Sequence, residues 1–264
     1  MKIGDIEVQP VRDGTSWEPS DVMLRRPGVE DPWSCHPGAR DEHGRLHFEV
    51  GGFLIRTGDR RILVDAGLGT VHKGRHLGGG MLDSLHELGE TPETITDVVF
   101  THLHFDHVGW ATQKGKIVFP NATYRVHQAD WAHFMESPEA LPGAVKKLTP
   151  LSSQLETFDA DATLAPGFDT RHAPGHTPGS TIFIISSGSS RALLLGDVVH
   201  SVVELEEPDW EGLVDLDPVN ASAVRNAVAD EVADTDALVA AAHFPDFQFG
   251  RVVRTEQGRK FHFI

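Results

Sequence analysis

Four side chains able to bind a metal fall within six residues: His102, His104, Asp106 and His107, in the run Val98-Val99-Phe100-Thr101-His102-Leu103-His104-Phe105-Asp106-His107-Val108-Gly109. Imidazole and carboxylate are nitrogen and oxygen donors that suit zinc, and with no thiolate in the set manganese, iron or cobalt also fit. On an extended or turning backbone His102 and His104 point the same way, while Asp106 and His107 lie past the turn and can face a second centre. The spacing therefore suggests two adjacent metal sites. Three more candidates follow: His176 in Ala173-Pro174-Gly175-His176-Thr177-Pro178-Gly179-Ser180, Asp197 after the apolar run Ala192 to Leu195, and His243 after Leu238 to Ala242. Two metals about 3.5–4 Å apart can share a water, lower its pKa towards ~7 and hold both the attacking and the leaving oxygen, which is the chemistry of hydrolysis.

Such ligands need rigid elements behind them. Short apolar or alternating runs predict strands at Lys2 to Val8, His47 to Thr57, Arg61 to Asp65, Asp97 to Thr101, Ala122 to Val126, Thr181 to Ser186, Arg191 to Leu195, Ala237 to Ala242 and Phe247 to Arg254. Helix starts are predicted at Thr91-Pro92-Glu93 and at Asp217-Pro218, ahead of Val219 to Val232. Strands interleaved with helices give an α/β class, in which ligands bind beyond the carboxyl ends of strands. The first metal motif stands directly after such a strand. Two stretches break the rhythm: 17–36, rich in Pro, Gly and Trp, and 131–155, punctuated by Pro138, Pro142 and Pro150. Both are candidate lid segments within one domain spanning 1–264.

The composition excludes several classes. The chain has 264 residues, 39% hydrophobic and 23% charged, enough for a substantial core and unlike a disordered or fibrous chain. Its net charge of −16 disfavours nucleic acid and anionic membranes, because its basic residues cluster only in pairs such as Arg60-Arg61. No apolar run approaches a membrane span, and Met1 to Gly14 carries no signal-peptide pattern, so a cytoplasmic setting is expected. Cys35, the sole cysteine, can form no intrachain disulfide. Sixteen histidines stand out, but the ten outside His102, His104, His107, His176, His200 and His243 show no ligand spacing.

The pattern His102-x-His104-x-Asp106-His107, then His176, Asp197 and His243, resembles the metallo-β-lactamase superfamily of binuclear metallohydrolases. The resemblance runs from Leu63-Val64-Asp65-Ala66-Gly67 to His243. It implies a four-layer αββα sandwich, with His102, His104 and His176 on one divalent metal, Asp106, His107 and His243 on the other, and Asp197 bridging. Asp65 matches a position where a carboxylate orients a ligand. Within the family, His-Leu-His-Phe-Asp-His and Gly-His-Thr-Pro-Gly are similar to the acyl-homoserine lactonases. The implied function is hydrolysis of a small neutral ester by a metal-bridging hydroxide, most of all a lactone of the quorum-quenching kind.

One departure opens an alternative. Lactonases often carry a Tyr three residues after the bridging Asp, whereas this chain has His200, a feature shared with methyl parathion hydrolase-like members that act on aryl esters or organophosphates. His200 is a candidate catalytic donor to a developing oxyanion beside Asp106, or else a histidine buttressing Asp197. Glyoxalase II-like thioesterases, mononuclear iron persulfide dioxygenases and a non-catalytic metal-binding scaffold stay open as well. The implied partner is a small molecule, and a homodimer is compatible with the resemblance. Phe105 and Phe244, each beside a ligand, are the leading pocket aromatics, and Tyr124, in a predicted strand, is given no catalytic role.

Overall fold

A computed structural model describes all 264 residues. Two mixed sheets carry the chain. The first runs in the order Leu155–Phe158, Thr123–His127, Asp97–Val99, Arg60–Val64, Arg45–Thr57, Ile6–Pro19 and the short hairpin His76–Leu77 with His72–Lys73. The second runs Thr163–Ala165, Phe168–His172, Thr181–Ser187, Ser190–Leu194, Leu238–Ala240, Gly250–Thr255, Gly258–Phe263.

Side-chain alternation explains why these sheets stack. Successive residues of a strand point to opposite faces. Phe53, Ile55, Ile62, Val64 and Val99 of the first sheet meet Phe183, Ile185, Ala192, Leu194 and Ala240 of the second in one shared core. Their neighbours face outward: Leu54, Leu63 and Val98 pack under the helix Met81–Glu87 through Met81 and Leu85. Ile182, Ile184, Leu193 and Val239 pack under the helix Pro218–Val232 through Val228, Ala229 and Val232. The layers are therefore helix, sheet, sheet, helix, as the family resemblance implied.

Most expected strands form, with ends moved by a residue or two. The first splits at the Gly4-Asp5 turn into Lys2–Ile3 and Ile6–Pro19. Phe168–His172, Leu155–Phe158 and Gly258–Phe263 add strands that sequence reading missed, since polar residues interrupt each of them. Pro218 does start a helix, capped by the Asp217 carboxylate accepting from the Asn220 amide at 3.1 Å. The expected helix start at Thr91-Pro92-Glu93 makes only a turn, in which the Thr94 hydroxyl donates to Glu90 at 2.7 Å and accepts from the Thr91 amide at 3.0 Å. The local hydroxyl bonds satisfy the backbone that a helix would have used.

The two irregular stretches are tied down. Residues 17–19 finish a long strand, Ser20–Met23 forms one helical turn, and Leu24–Arg25 pairs with Glu211–Gly212. Trp33 packs on Trp210, centroids 4.6 Å apart. The other stretch widens into a π-type turn over Ala132–Glu136, followed by the helix Pro142–Leu148. No helix is long and apolar enough to cross a membrane.

Candidate metal centre

Every candidate ligand lies on a loop at one rim of the sandwich. His102 to His107 follow the strand Asp97–Val99, Asp197 follows Ser190–Leu194, His243 follows Leu238–Ala240, and His176 stands ahead of Thr181–Ser187. Gly196 makes the close approach feasible: its φ is +53°, and a Cβ there would stand 2.6 Å from the Thr101 Cβ. Any other side chain would push the Asp197 loop away from the histidine motif.

The donors converge as two groups. His102 Nε2 and His176 Nε2 lie 3.0 and 2.9 Å from His104 Nδ1. Ligands at Zn–N distances of ~2.0–2.1 Å in a tetrahedron stand ~3.3 Å apart, close to this spacing. The second group is Asp106, His107 and His243, with His243 Nε2 3.7 Å from Asp106 Oδ2 and His107 Nε2 3.9 Å from Asp106 Oδ1. Asp197 lies between them. Its Oδ1 faces His107 Nε2 at 3.3 Å, its Oδ2 faces His176 Nε2 at 3.6 Å and His102 Nε2 at 3.8 Å, and His243 Nε2 lies 3.2 Å from both oxygens.

The far nitrogen of most of these rings is fixed by a second partner. Asp65 Oδ2 meets His107 Nδ1 at 2.9 Å and also accepts from the Thr101 hydroxyl at 2.8 Å. Asp65 holds a left-handed φ of 61° to do so. The Thr101 hydroxyl approaches His102 Nδ1 at 3.1 Å, Asp215 Oδ1 meets His176 Nδ1 at 2.9 Å, and the Glu49 carbonyl meets His243 Nδ1 at 2.9 Å. With Nδ1 engaged, Nε2 is the atom presented to the centre, and this arrangement typically orients metal-binding histidines. Buried His107 Nε2 and Asp197 Oδ1 have no hydrogen-bond partner in the protein. Buried polar atoms are seldom left so, and two divalent cations fit this donor set.

The charges agree. Burial and the proximity of His107 hold His102 well below the imidazole range, and burial with His176 takes His104 down to about 3. Both are neutral donors at physiological pH. Burial opposes charge on His107 and His243, but Asp197 overrides it for both, with Asp65 and Asp106 adding to His107, so both are raised. Burial likewise opposes charge on Asp197, yet His243, His107 and His102 hold it well below the carboxylate range.

His200 is buried and sits edge-on to His176, ring centroids 4.9 Å apart, with Nε2 3.9 Å from Asp197 Oδ2. Neither ring nitrogen has a hydrogen-bond partner that meets strict geometry, although Nδ1 lies 3.6 Å from Glu204 Oε2. Burial opposes its charge, and the Glu204 carboxylate raises it to about 9. Phe105 lines a cavity of about 430 Å³ over the cluster, together with Phe48, Met23 and Val214. Phe244 does not: it is buried against Phe261 and Phe263 and borders a neighbouring cavity, because its ring turns back into the outer core. Tyr124 is buried under the first sheet, and burial pushes its hydroxyl above the usual phenol range, beyond any acid–base use at neutral pH.

Several residues that matter here carried no sequence signal. Asp130 is fully buried and accepts from the Leu103 amide at 3.0 Å and the Gly179 amide at 2.6 Å, joining the His102–His107 loop to the His176 loop. Asp215 and Arg225 are equally silent. Their partners are close in space and distant in sequence, so no motif announces them.

The description of the metallo-β-lactamase superfamily matches residues 52–243. The chain belongs to the metallo-β-lactamase superfamily. Curated relatives of this superfamily member include an N-acyl homoserine lactonase of Bacillus sp, 29% identical over 57% of this chain, and the N-acyl homoserine lactonase AttM of Agrobacterium fabrum, 28% identical over 63% of it. The aligned parts span 63% and 65% of those relatives. Among solved structures, AidC, a dizinc quorum-quenching lactonase in complex with a product, is similar with a TM-score of 0.89 at 28% identity, covering 99% of this chain and 95% of AidC. The hydrolase AbOPH, of the beta lactamase superfamily, gives 0.86 at 25% identity, covering 100% of this chain and 95% of AbOPH.

Proposed function

We propose that this superfamily member is a binuclear metal-dependent lactonase that opens N-acyl homoserine lactones. The observation that carries the reading is the Asp197 carboxylate lying between the two donor groups, 3.2–3.8 Å from the Nε2 atoms of His243, His107, His176 and His102. His102, His104 and His176 would hold one ion, Asp106, His107 and His243 the other, with Asp197 shared. When bound, two divalent ions, zinc by this donor set, supply Lewis acidity for the ester carbonyl and lower the pKa of water.

The chain's own residues do the rest. Asp65, Asp215 and the Glu49 carbonyl keep three imidazoles in register, so little reorganisation accompanies reaction. His200 aims Nε2 at the rim of the cluster and donates to the oxyanion that develops on the attacked carbonyl. Asp106 is the most exposed ligand carboxylate and lines the cavity, which places it to carry a proton to the leaving alkoxide. Phe48, Phe105, Met23 and Val214 supply apolar surface for an acyl chain. The segments 17–36, through Met23, and 131–155, through Phe134 packed 5.5 Å from the His104 ring, would shape the mouth.

The test is turnover of an N-acyl homoserine lactone, an aryl ester and a phosphotriester by protein stripped with chelator and reloaded with zinc. Lactone opening that returns with zinc supports the reading. Turnover of only the aryl ester or phosphotriester would move it to the alternative that His200 suggested. His200→Ala is expected to lower kcat by roughly 100-fold, the typical loss of one oxyanion donor. We also place the protein in the cytoplasm as a single domain, which its lone cysteine supports. A homodimer through the exposed Val22, Leu213 and Leu216 beside the mouth is part of the same proposal, checked by sedimentation.

A further inference from the structure

Facing the metal cluster across the same cavity is a polar wall that the proposed chemistry leaves unused. Ser16, Glu18, Arg75 and His76 all line it. Ser16 and Glu18 project from one face of the strand Ile6–Pro19, and Ser16 is paired in register with His76 on the short hairpin. The Ser16 hydroxyl donates to Glu18 Oε1 at 2.6 Å and stands 2.8 Å from His76 Nδ1. A hydroxyl that gives its only proton to Glu18 must accept from its other neighbour, so neutral His76 carries its proton on Nδ1. His76 Nε2 is left as a lone-pair acceptor that makes no hydrogen bond within the protein. Arg75 Nε pairs with Glu18 Oε2 at 2.8 Å, which leaves its two Nη groups as spare donors. The edge of the His76 ring rests on Phe105, centroids 5.3 Å apart, beside the cluster.

One acceptor next to a fixed fork of donors matches a secondary amide, whose N–H donates and whose C=O accepts. The Glu18 carboxylate cancels the Arg75 charge, so the wall is polar without attracting anions. We infer that Arg75 and His76, held by Ser16 and Glu18, form a recognition subsite for an uncharged amide on the substrate. It makes this centre selective for amide-bearing lactones over plain alkyl lactones. The inference rests on the proposed lactonase reading and adds the residues that choose among lactones.

The experiment compares kcat/KM for an N-acyl homoserine lactone and for an alkyl γ-lactone of equal chain length, using zinc-loaded wild type, Arg75→Ala, His76→Ala and Glu18→Gln. Binding of a non-hydrolysable N-acylamino γ-lactam is followed in parallel by calorimetry. Loss of one hydrogen bond to a charged donor corresponds to roughly tenfold. The expected result is a fall of about tenfold or more in the amide-to-alkyl ratio for Arg75→Ala and His76→Ala, appearing mainly in KM, with a matching weakening of lactam binding. Two equivalents of zinc in each variant certify that the centre is intact. An unchanged ratio, or equal loss on both lactones, overturns the subsite while the lactonase reading stands. Wild-type protein that holds zinc but opens neither lactone overturns both.

Discussion

Arg225 offers the sharpest test of how the centre is supported. Its guanidinium is almost fully buried, donating to the Val198 carbonyl at 2.9 Å and the Trp210 carbonyl at 3.2 Å. It also pairs at 3.1 Å with Glu204 Oε1 and at 3.1 Å with Asp215 Oδ2, and both carboxylates have no exposed surface. Asp215 in turn positions His176, and Glu204 binds the His200 and Ser201 amides at 2.7 and 2.9 Å. One cation therefore bridges two buried anions on the same side of the cluster, behind the adjacent rings of His176 and His200. Removing one side of a buried ion pair costs about 3–5 kcal/mol, because the remaining charge stays uncompensated. For a domain of this size that is a fall in Tm of roughly 10 °C. Arg225→Lys should recover only part of it, since an ammonium cannot span four acceptors arranged for a planar fork. Urea unfolding of metal-free protein, followed by tryptophan fluorescence, reads the effect, and zinc affinity in Arg225→Ala should fall at least tenfold through the loss of Asp215 control over His176. A loss below about 1 kcal/mol, with unchanged zinc affinity, would refute the claim that this network holds the centre.

Further outcomes follow from the same contacts. Asp65→Ala, which frees His107 Nδ1, should weaken zinc binding by about 10- to 100-fold in competition with a chromogenic chelator, while Asp65→Asn keeps part of it. Asp130→Ala should destabilise the chain by roughly 2–3 kcal/mol in urea, since it orphans the buried Leu103 and Gly179 amides. In metal-free protein the folded-state pKa of Glu204 is about 2, below its unfolded ~4.3, so its contribution is present above ~4.3 and lost as pH falls towards 2. His200, at about 9 against an unfolded ~6.5, contributes fully below ~6.5 and loses this as pH rises through 9. The stability difference between wild type and Glu204→Gln should therefore be greatest between about pH 4.5 and 6.5, and urea midpoints that differ equally from pH 3 to 9.5 would contradict this.

The sequence carried the reacting end of the molecule better than its supports. Ligands at strand ends leave dense local signals: four of seven lie within six residues, and short apolar runs such as Thr181–Ser187 mark the strands, while the layering came only with the family resemblance. Asp130, Asp215 and Arg225 leave none, because each acts through partners that only folding brings near. The turn at Thr91-Pro92-Glu93 shows the opposite failure, a local helix signal overridden by hydroxyl bonds to Glu90 and to the turn's own amide. Phe105 and Phe244 both adjoin a ligand in sequence, yet only Phe105 faces the cavity over the cluster, and backbone direction decided that.

In the proposed centre Asp197 would stand between two metals, one held by His102, His104 and His176 and the other by Asp106, His107 and His243. Metal content per chain, measured by plasma mass spectrometry on protein purified without chelator, tests it most directly when wild type is set beside His243→Ala. Wild type should hold close to two equivalents of a zinc-like metal and the variant close to one. A single equivalent of iron in wild type, or two equivalents retained without His243, would contradict it.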